Sequence, residues 1–169
     1  MIIGISGFSK VGKDEAAKPL YPQFTRVAFA DSLKRELAAS LGISIEELES
    51  RKEAFRDEMV ELGRSRRTED PNYWIKATYP LPGVDVVVTD VRYINEARWI
   101  KEQGGHVIYI VRPGYKAANE EELNSISEIL QHSAVNSIII NDKSIEQLHK
   151  RVRRIQQMYK FWEEERADS

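Results

Sequence analysis

A glycine- and lysine-containing stretch near the amino terminus has the residue types and the spacing needed to bind phosphate. It reads GFSKVGKD, the G-x-x-x-x-G-K pattern with an aspartate where Ser or Thr is usual. Glycines let the backbone turn so that successive N–H groups point inward, and the lysine adds a mobile ammonium for the outer phosphates. Because the stretch follows an apolar run and precedes a helical pattern, we favour a phosphate loop over an ordinary glycine turn. The predicted nucleotide-binding residues are Gly7, Phe8, Ser9, Lys10, Val11, Gly12, Lys13 and Asp14.

Two carboxylates are candidates for holding a magnesium ion. Asp14 is a hard oxygen donor that cannot face a triphosphate without a cation between them, so we expect it to reach Mg²⁺ directly or through water. The alternative is a surface carboxylate in a first helical turn. Asp90 ends the apolar run DVVVTD, and ligands of open parallel sheets lie outside the carboxyl ends of the strands. Its alternative role is a cap on the next helix.

Cations and aromatic side chains supply candidates for binding an acidic acceptor. Arg92 follows Asp90 by two residues and can bind a phosphate as a bidentate fork. Arg56 and Arg64 are eight residues apart and share one helical face, although a solvated charged face is an equal alternative. An aromatic ring can stack on a base, or simply belong to the core. The candidate acceptor residues are Asp31, Lys34, Arg56, Arg64, Arg67, Tyr73, Trp74 and Arg92.

Five short apolar runs are predicted to be the strands that position these residues. They are Ile2–Ser6, Arg26–Ala30, Asp85–Asp90, His106–Val111 and Ser137–Asn141. Continuous β-branched runs are typical of strands covered on both faces. Helical patterns lie between them, and this alternation predicts an α/β fold with a five-stranded parallel sheet and helices on both faces.

The first helical pattern follows Gly12. The second begins near Ser32, with Asp31 as its cap and Gly42 as its stop. The third runs from about Ile45 to Arg66. Three more cover NEARWIKEQGG, about 120–130, and 144 to about 165. We predict a single domain over 1–169, with the phosphate loop at 7–14 and a small substrate-binding helical region at about 44–77. A lid is predicted at about 112–130, where Arg112 and Lys116 are the strong cations.

Composition excludes several classes of protein. The chain has 169 residues, of which 41% are hydrophobic and 31% charged, a mixture typical of one globular domain. It has no cysteine, which excludes disulfides, thiol catalysis and thiolate zinc sites. The formal net charge of -2 argues against a nucleic-acid polymer as partner. We expect neither a signal peptide nor a membrane span, and a cytoplasmic location.

The variant loop GKD and four further segments resemble the deoxynucleoside monophosphate kinases of bacteriophages and some bacteria. The segments are FADSLKREL, DPNYWIKA, TDVRYINEARWI and IINDKSIEQL, which together cover most of the chain. KEAFRDEMVELG is similar to animal-type phosphomevalonate kinase, a relative with the same loop. The family often has His-x-Ser-Glu after the lid, where this chain has SISE at 125–128.

The resemblance implies a P-loop kinase fold and transfer of the terminal phosphoryl group of ATP, with Mg²⁺, to a deoxynucleoside monophosphate. Lys13, Asp90 and Arg92 are then the candidate catalytic residues. A phosphomevalonate kinase-like enzyme, or a P-loop ATPase or switch protein without a small acceptor, is the alternative. The expected partners are ATP and a nucleoside monophosphate, and the oligomeric state is open, a homodimer included.

Overall fold

The computed structural model describes residues 1–78 and 83–167 of the chain. Its sheet has five strands in the order β2-β3-β1-β4-β5, and β1 pairs in parallel with both β3 and β4, as β4 does with β5. The strands are β1 Ile2–Ser6, β2 Thr25–Val27, β3 Val86–Val91, β4 His106–Val111 and β5 Ser137–Ile140. The predicted five-stranded parallel sheet is therefore confirmed.

Eight α-helices are described, with a 3-10 turn at Lys18–Leu20. They are α1 Lys13–Ala17, α2 Phe29–Leu41, α3 Ile45–Ser50, α4 Arg56–Glu69, α5 Tyr73–Thr78, α6 Ile94–Glu102, α7 Glu120–Gln131 and α8 Ile145–Ala167. Among the residues at 1–78 and 83–167, none of these helices combines the length and the apolar character needed to cross a membrane.

Two predicted boundaries were wrong. The run Arg26–Ala30 was predicted as strand, but β2 ends at Val27 and α2 begins at Phe29 with Ala28 as its N-cap. Asp31 is therefore not the cap but a first-turn residue, where a carboxylate stabilises the positive end of the helix. Gly42 ends α2 as predicted, at a φ of 67°.

The single helix predicted from Ile45 to Arg66 is instead two helices, α3 and α4, separated by turns at 51–55. The Ser50 hydroxyl donates to the Glu47 carbonyl at 2.8 Å, offering the end of α3 a side-chain partner. The start of α3 is fixed by Ser44, whose side chain accepts a hydrogen bond from the Glu47 N–H at 3.0 Å.

The chain divides into two compact units, one of Met1–Arg26 with Leu81–Ser169 and one of Val27–Pro80. The first unit contains the sheet, apart from Val27 at the end of β2, together with α1, α6, α7 and α8. The second contains α2 to α5, where Leu37, Ala38 and Leu48 form a core against which Phe55 and Met59 pack.

The sheet of the first unit is covered on both faces. On one face, Ile3 and Ile5 of β1 pack in a single core with Leu148, Val152 and other buried residues of α8. On the other face, a Cβ added to Gly4 would meet Ile100 of α6 at 2.5 Å, so the helix lies directly on the backbone there. This is the arrangement expected of continuous apolar strands, and it brings the end of β1 to the phosphate loop.

Candidate active site

Two glycines of the phosphate loop have conformations that other residues adopt with difficulty. Gly7 has a φ of 142°, and a Cβ on it would lie 2.5 Å from the Ile110 carbonyl oxygen. Gly12 has a φ of 99°, and its Cβ would lie 2.7 Å from the Asn141 amide nitrogen. The loop therefore requires glycine at both positions that define the sequence pattern.

Lys13, the first residue of α1, folds its side chain back over the loop. Its Nζ donates to the carbonyl oxygens of Gly7 at 2.8 Å and Phe8 at 2.7 Å. Burial, and after it the nearby Arg92 guanidinium, lowers the pKa of Lys13 to about 8. The ammonium thus lies in a partly desolvated position, where a phosphate would stabilise its charged form.

Several charged groups predicted from the sequence surround this ammonium. The negative charges of Glu122, Asp14 and Asp90 each oppose the lowering of the Lys13 pKa, which burial and Arg92 cause. The structure therefore brings together Lys13, Asp14, Asp90 and Arg92, which lie up to 79 positions apart in the sequence. Glu122 is an addition that the sequence analysis did not single out.

Arg92 follows the end of β3 at a turn that a buried carboxylate holds. Glu96 is 3% exposed, and its Oε2 accepts hydrogen bonds from the backbone N–H of Arg92 at 2.7 Å and of Tyr93 at 3.0 Å. The N-cap of α6 is Tyr93, so the alternative that Asp90 caps this helix is excluded. Glu96 is a positioning residue whose role only the folded turn reveals.

The carboxylates of this site match a nucleotide-bound magnesium ion better than a metal ion held by protein alone. Within the described part of the chain, no group of three or more His, Cys, Asp or Glu residues is arranged to bind a metal ion. Magnesium is commonly held by one or two carboxylates together with substrate phosphates and water. Asp14 and Asp90, both near the Lys13 ammonium, meet that smaller requirement.

The predicted lid begins with a turn and continues as α7. The Arg112 guanidinium lies 4.6 Å from the centre of the Tyr115 ring, a cation–π contact, and Lys116 is exposed. Phe8 of the phosphate loop and the two lid residues Tyr115 and Lys116 line one cavity of about 470 Å³. The structure places the first part of the lid beside the loop.

In the helical unit, two of the predicted acceptor cations pair with neighbouring acids, and one of these acids is the candidate Asp31. Lys34 donates to Glu49 at 2.5 Å and lies 3.9 Å from Asp31. Arg56 is exposed and contacts Glu53 at 3.3 Å. The Arg56–Glu53 pair is exposed and so contributes little to stability, whereas the Lys34 side chain is largely buried. Arg64 is exposed on α4, and Arg67 donates to the Gly63 carbonyl at 3.1 Å.

The two aromatic candidates have different environments. Trp74 is 2% exposed and its Nε1 donates to the Gly63 carbonyl at 3.3 Å, so its burial contradicts a base-stacking role. Tyr73 is half-buried, its hydroxyl donates to Glu36 at 2.7 Å, and the Arg66 guanidinium lies 5.1 Å from its ring centre. Arg66 also donates to Glu36, with Nε at 2.7 Å. Of the two candidates, Tyr73 is therefore the less buried, although its ring also contacts the Trp74 ring edge-on at 4.9 Å.

Two models of protein families match the chain. The phosphomevalonate kinase model matches residues 5–106, and the deoxynucleotide monophosphate kinase model matches residues 68–152. Each match covers at least half of the sequence. The chain belongs to the P-loop kinases of these two families. The resemblance predicted from the loop and the four further segments is therefore confirmed.

One curated protein is similar to part of this kinase, and solved structures align with most of it at low sequence identity. A putative deoxynucleotide monophosphate kinase of Acanthamoeba polyphaga mimivirus is 37% identical over 71 residues, 42% of this chain and 36% of that protein. The chain thus matches about a third of the length of this curated relative. Shikimate kinase from Aquifex aeolicus aligns over 90% of this chain and 94% of its own, with 18% identity and a TM-score of 0.46. Dephospho-CoA kinase from Campylobacter jejuni aligns over 92% and 95%, with 14% identity and a TM-score of 0.47.

Two further residues of this kinase form hydrogen bonds with the phosphate loop and were not among the residues predicted from the sequence. The Asn141 side-chain N–H donates to the Val11 carbonyl at 2.9 Å, which ties the loop to the end of β5. Glu122 accepts a hydrogen bond from the Ser9 backbone N–H at 2.8 Å. Sequence separations of 130 and 113 residues explain why no local pattern indicated these contacts. Only the position of Asn141 at the carboxyl end of the predicted strand Ser137–Asn141 offered a signal, and β5 itself ends one residue earlier, at Ile140.

Proposed function

We propose that this kinase transfers the terminal phosphoryl group of ATP to a deoxynucleoside monophosphate, giving ADP and the deoxynucleoside diphosphate. The observation that best supports this proposal is the phosphate loop. Gly7 and Gly12 have glycine-specific conformations there, and Lys13 lies partly buried beside Asp14 and Asp90. Membership in the two kinase families and the partial match to a putative deoxynucleotide monophosphate kinase support the choice.

The proposed reaction joins an oxygen of the acceptor phosphate to the terminal phosphorus of ATP, while the bond from that phosphorus to the bridging oxygen breaks. The electron pair of the broken bond leaves with ADP. The loop N–H groups and Lys13 hold the transferring charge, and Arg92 binds the acceptor phosphate. An acceptor phosphate is already nucleophilic near neutral pH, so the reaction needs no strong general base.

Magnesium is part of the proposal because its ligand requirement fits the carboxylates present. Asp14 and Asp90 would hold the ion, directly or through water, together with the nucleotide phosphates. When bound, the ion neutralises charge that develops on the phosphate oxygens.

We also propose that the helical region at about 44–77 binds the acceptor. The loop at 7–14, this helical region and the lid at about 112–130 would then be parts of one catalytic domain. Tyr73 is the proposed base-stacking residue, while Arg56, Arg64 and Arg67, with Asp31 and Lys34 of α2, are proposed to bind the acceptor. The lid cations Arg112 and Lys116 would cover the phosphates. A cytoplasmic location follows from these substrates, and the proposal holds for a monomer or a homodimer.

A phosphomevalonate kinase-like activity is a second candidate because that family model matches residues 5–106, the part of the chain that contains the phosphate loop. The two candidates use the same ATP site and differ in the acceptor.

The deciding experiment is an acceptor screen with ATP and Mg²⁺ in which ADP formation is measured. The acceptors are dGMP, dTMP, dCMP, dAMP, their ribose counterparts and phosphomevalonate, with a reaction lacking acceptor to measure hydrolysis. Turnover with at least one deoxynucleotide, lost in Lys13→Ala, is expected. Turnover with phosphomevalonate alone would assign the second function, and acceptor-independent hydrolysis alone would contradict both.

A further inference from the structure

Glu122, in the first turn of α7, occupies a hydrogen-bonding position of the phosphate loop. Its Oε1 accepts from the Ser9 backbone N–H at 2.8 Å, and its Oε2 accepts from the Ala118 backbone N–H at 2.6 Å. The Ser9 N–H is one of the loop donors proposed to bind ATP. A carboxylate and a phosphate are both anionic acceptors, so they compete for the same donor.

The charge of Glu122 also acts on the loop lysine. The carboxylate is the largest of the acidic influences that raise the pKa of Lys13 against burial and Arg92. The Lys13 Nζ meanwhile donates to the Gly7 and Phe8 carbonyls. A loop amide and the loop ammonium therefore both find their partners inside the chain, and a bound triphosphate would have to replace them.

The first turn of α7 has a cap that does not involve the Glu122 side chain. Its cap is Asn119, whose Oδ1 accepts a hydrogen bond from the backbone N–H of Glu122 at 2.8 Å. The neighbouring Glu121 carboxylate accepts from the Tyr93 hydroxyl at 3.1 Å. Glu122 thus joins the start of α7 to Ser9 of the phosphate loop, and Glu121 joins it to Tyr93 beside Arg92, while the Asn119 side chain caps the helix itself.

We propose that Glu122 is an autoinhibitory residue whose carboxylate takes the place of a phosphate oxygen in the nucleotide-free state. ATP binds by displacing it from Ser9, and the first turn of α7 is released from the loop at that step. The inference rests on the proposed ATP site and adds a regulation to it. Because only the open state binds ATP, the closed contact lowers the apparent affinity by the fraction of molecules that are open.

The test compares Glu122→Gln with Glu120→Gln by calorimetric titration with ATP and by urea unfolding without nucleotide. Glu120 lies in the same turn and is exposed, so its replacement removes an equal charge without removing the Ser9 contact. Glu122→Gln should bind ATP about tenfold more tightly, as expected when one charge-assisted hydrogen bond no longer competes. It should also unfold at a lower urea concentration, whereas Glu120→Gln should resemble the parent protein in both measurements.

Opposite signs for ATP affinity and stability distinguish autoinhibition from a structural role, which would weaken both. Unchanged or weaker ATP binding by Glu122→Gln would overturn the proposal, as would equal tightening in Glu120→Gln. If Glu122→Gln fails to fold, Glu122→Asp retains the charge on a shorter side chain and should still tighten ATP binding. Tightened binding without phosphorylation of any acceptor would contradict the proposed function alone. Absence of ATP binding in every variant would contradict both.

Discussion

Lys13 is the residue on which the proposed chemistry depends most directly. In this structure its ammonium bonds to the loop carbonyls of Gly7 and Phe8, so ATP must draw it away from them. Lys13→Ala should lower kcat by about 10²–10³-fold, since it removes a cation from the transferring charge. Steady-state ADP formation measures the loss. The control is Lys18→Ala, an exposed lysine that follows α1. Near-normal turnover in Lys13→Ala would contradict the phosphate-loop assignment.

The depressed pKa of Lys13 predicts a proton uptake on nucleotide binding. With a pKa of about 8, the free protein has lost about half of this proton at pH 8. A bound phosphate stabilises the ammonium and raises its pKa, so ATP binding at pH 8 should take up about half a proton. At pH 6 the ammonium is already formed and this uptake should vanish. Titration calorimetry in two buffers of different ionisation enthalpy, without magnesium, measures the difference. Lys13→Met should show no such pH-dependent uptake.

Asp14 distinguishes this loop from the usual pattern and predicts a change in metal dependence. Asp14→Ser restores the common hydroxyl and should retain ATP binding while shifting the magnesium concentration needed for half-maximal turnover. Asp14→Ala offers no ligand and should lose more activity than Asp14→Ser. Turnover measured against magnesium concentration compares the three proteins. One shared magnesium dependence would place Asp14 away from the metal.

At the scale of elements, the sequence predicts best where one local pattern dominates. The apolar runs Ile2–Ser6 and His106–Val111 are both strands with the predicted bounds, because each is buried among other apolar residues. Arg26–Ala30 is shared between a strand and a helix, since β propensity alone does not say where a helix begins. The phosphate-loop residues were also predictable, because a single local sequence pattern defines them. Glu122 was not, because its contact with Ser9 depends on how two distant segments fold together.

The lid is the element whose motion the proposed reaction requires. The stretch at 112–124 is largely exposed, contains Pro113 and Gly114, and is joined to the loop by Glu122. Once ATP has displaced Glu122 from Ser9, closure of the lid over ATP and the acceptor would exclude water, as phosphoryl transfer requires. Amide hydrogen exchange across 112–124 should therefore slow when ATP and an accepted monophosphate are present together. Amides of β4 serve as an internal control. Unchanged exchange in the lid would contradict a closing motion.

At the scale of the whole molecule, the net charge is slightly negative, so attraction of a polyanion must come from a local group of donors and cations. The chain has a formal charge of -2, and yet the loop, the partly buried Lys13 and Arg92 together offer donors to a polyanion. The two family models overlap at residues 68–106, which include Asp90 and Arg92. The shared region thus contains Asp90, one of the two proposed metal-binding residues, and Arg92, which is proposed to bind the acceptor phosphate. The ATP site was easier to predict than the acceptor because one local sequence pattern defines the phosphate loop, whereas the proposed acceptor residues belong to several elements.

The last prediction concerns the acceptor and separates the two candidate functions. Tyr73 is the less buried of the two aromatic candidates, and a nucleotide offers a base to stack on it whereas phosphomevalonate offers none. Tyr73→Leu should raise KM for the nucleotide acceptor by an amount equivalent to about 1–3 kcal/mol and leave KM for ATP almost unchanged. Tyr73→Phe retains the ring but loses the hydrogen bond to Glu36, so it should keep most of the acceptor affinity.

Direct competition between dGMP or dTMP, their ribose counterparts and phosphomevalonate completes the test. A close wall at the 2′ position is needed for strong rejection of ribose, because an added hydroxyl is otherwise poorly excluded. Exclusive use of phosphomevalonate would overturn the nucleotide assignment and leave the proposed ATP site intact.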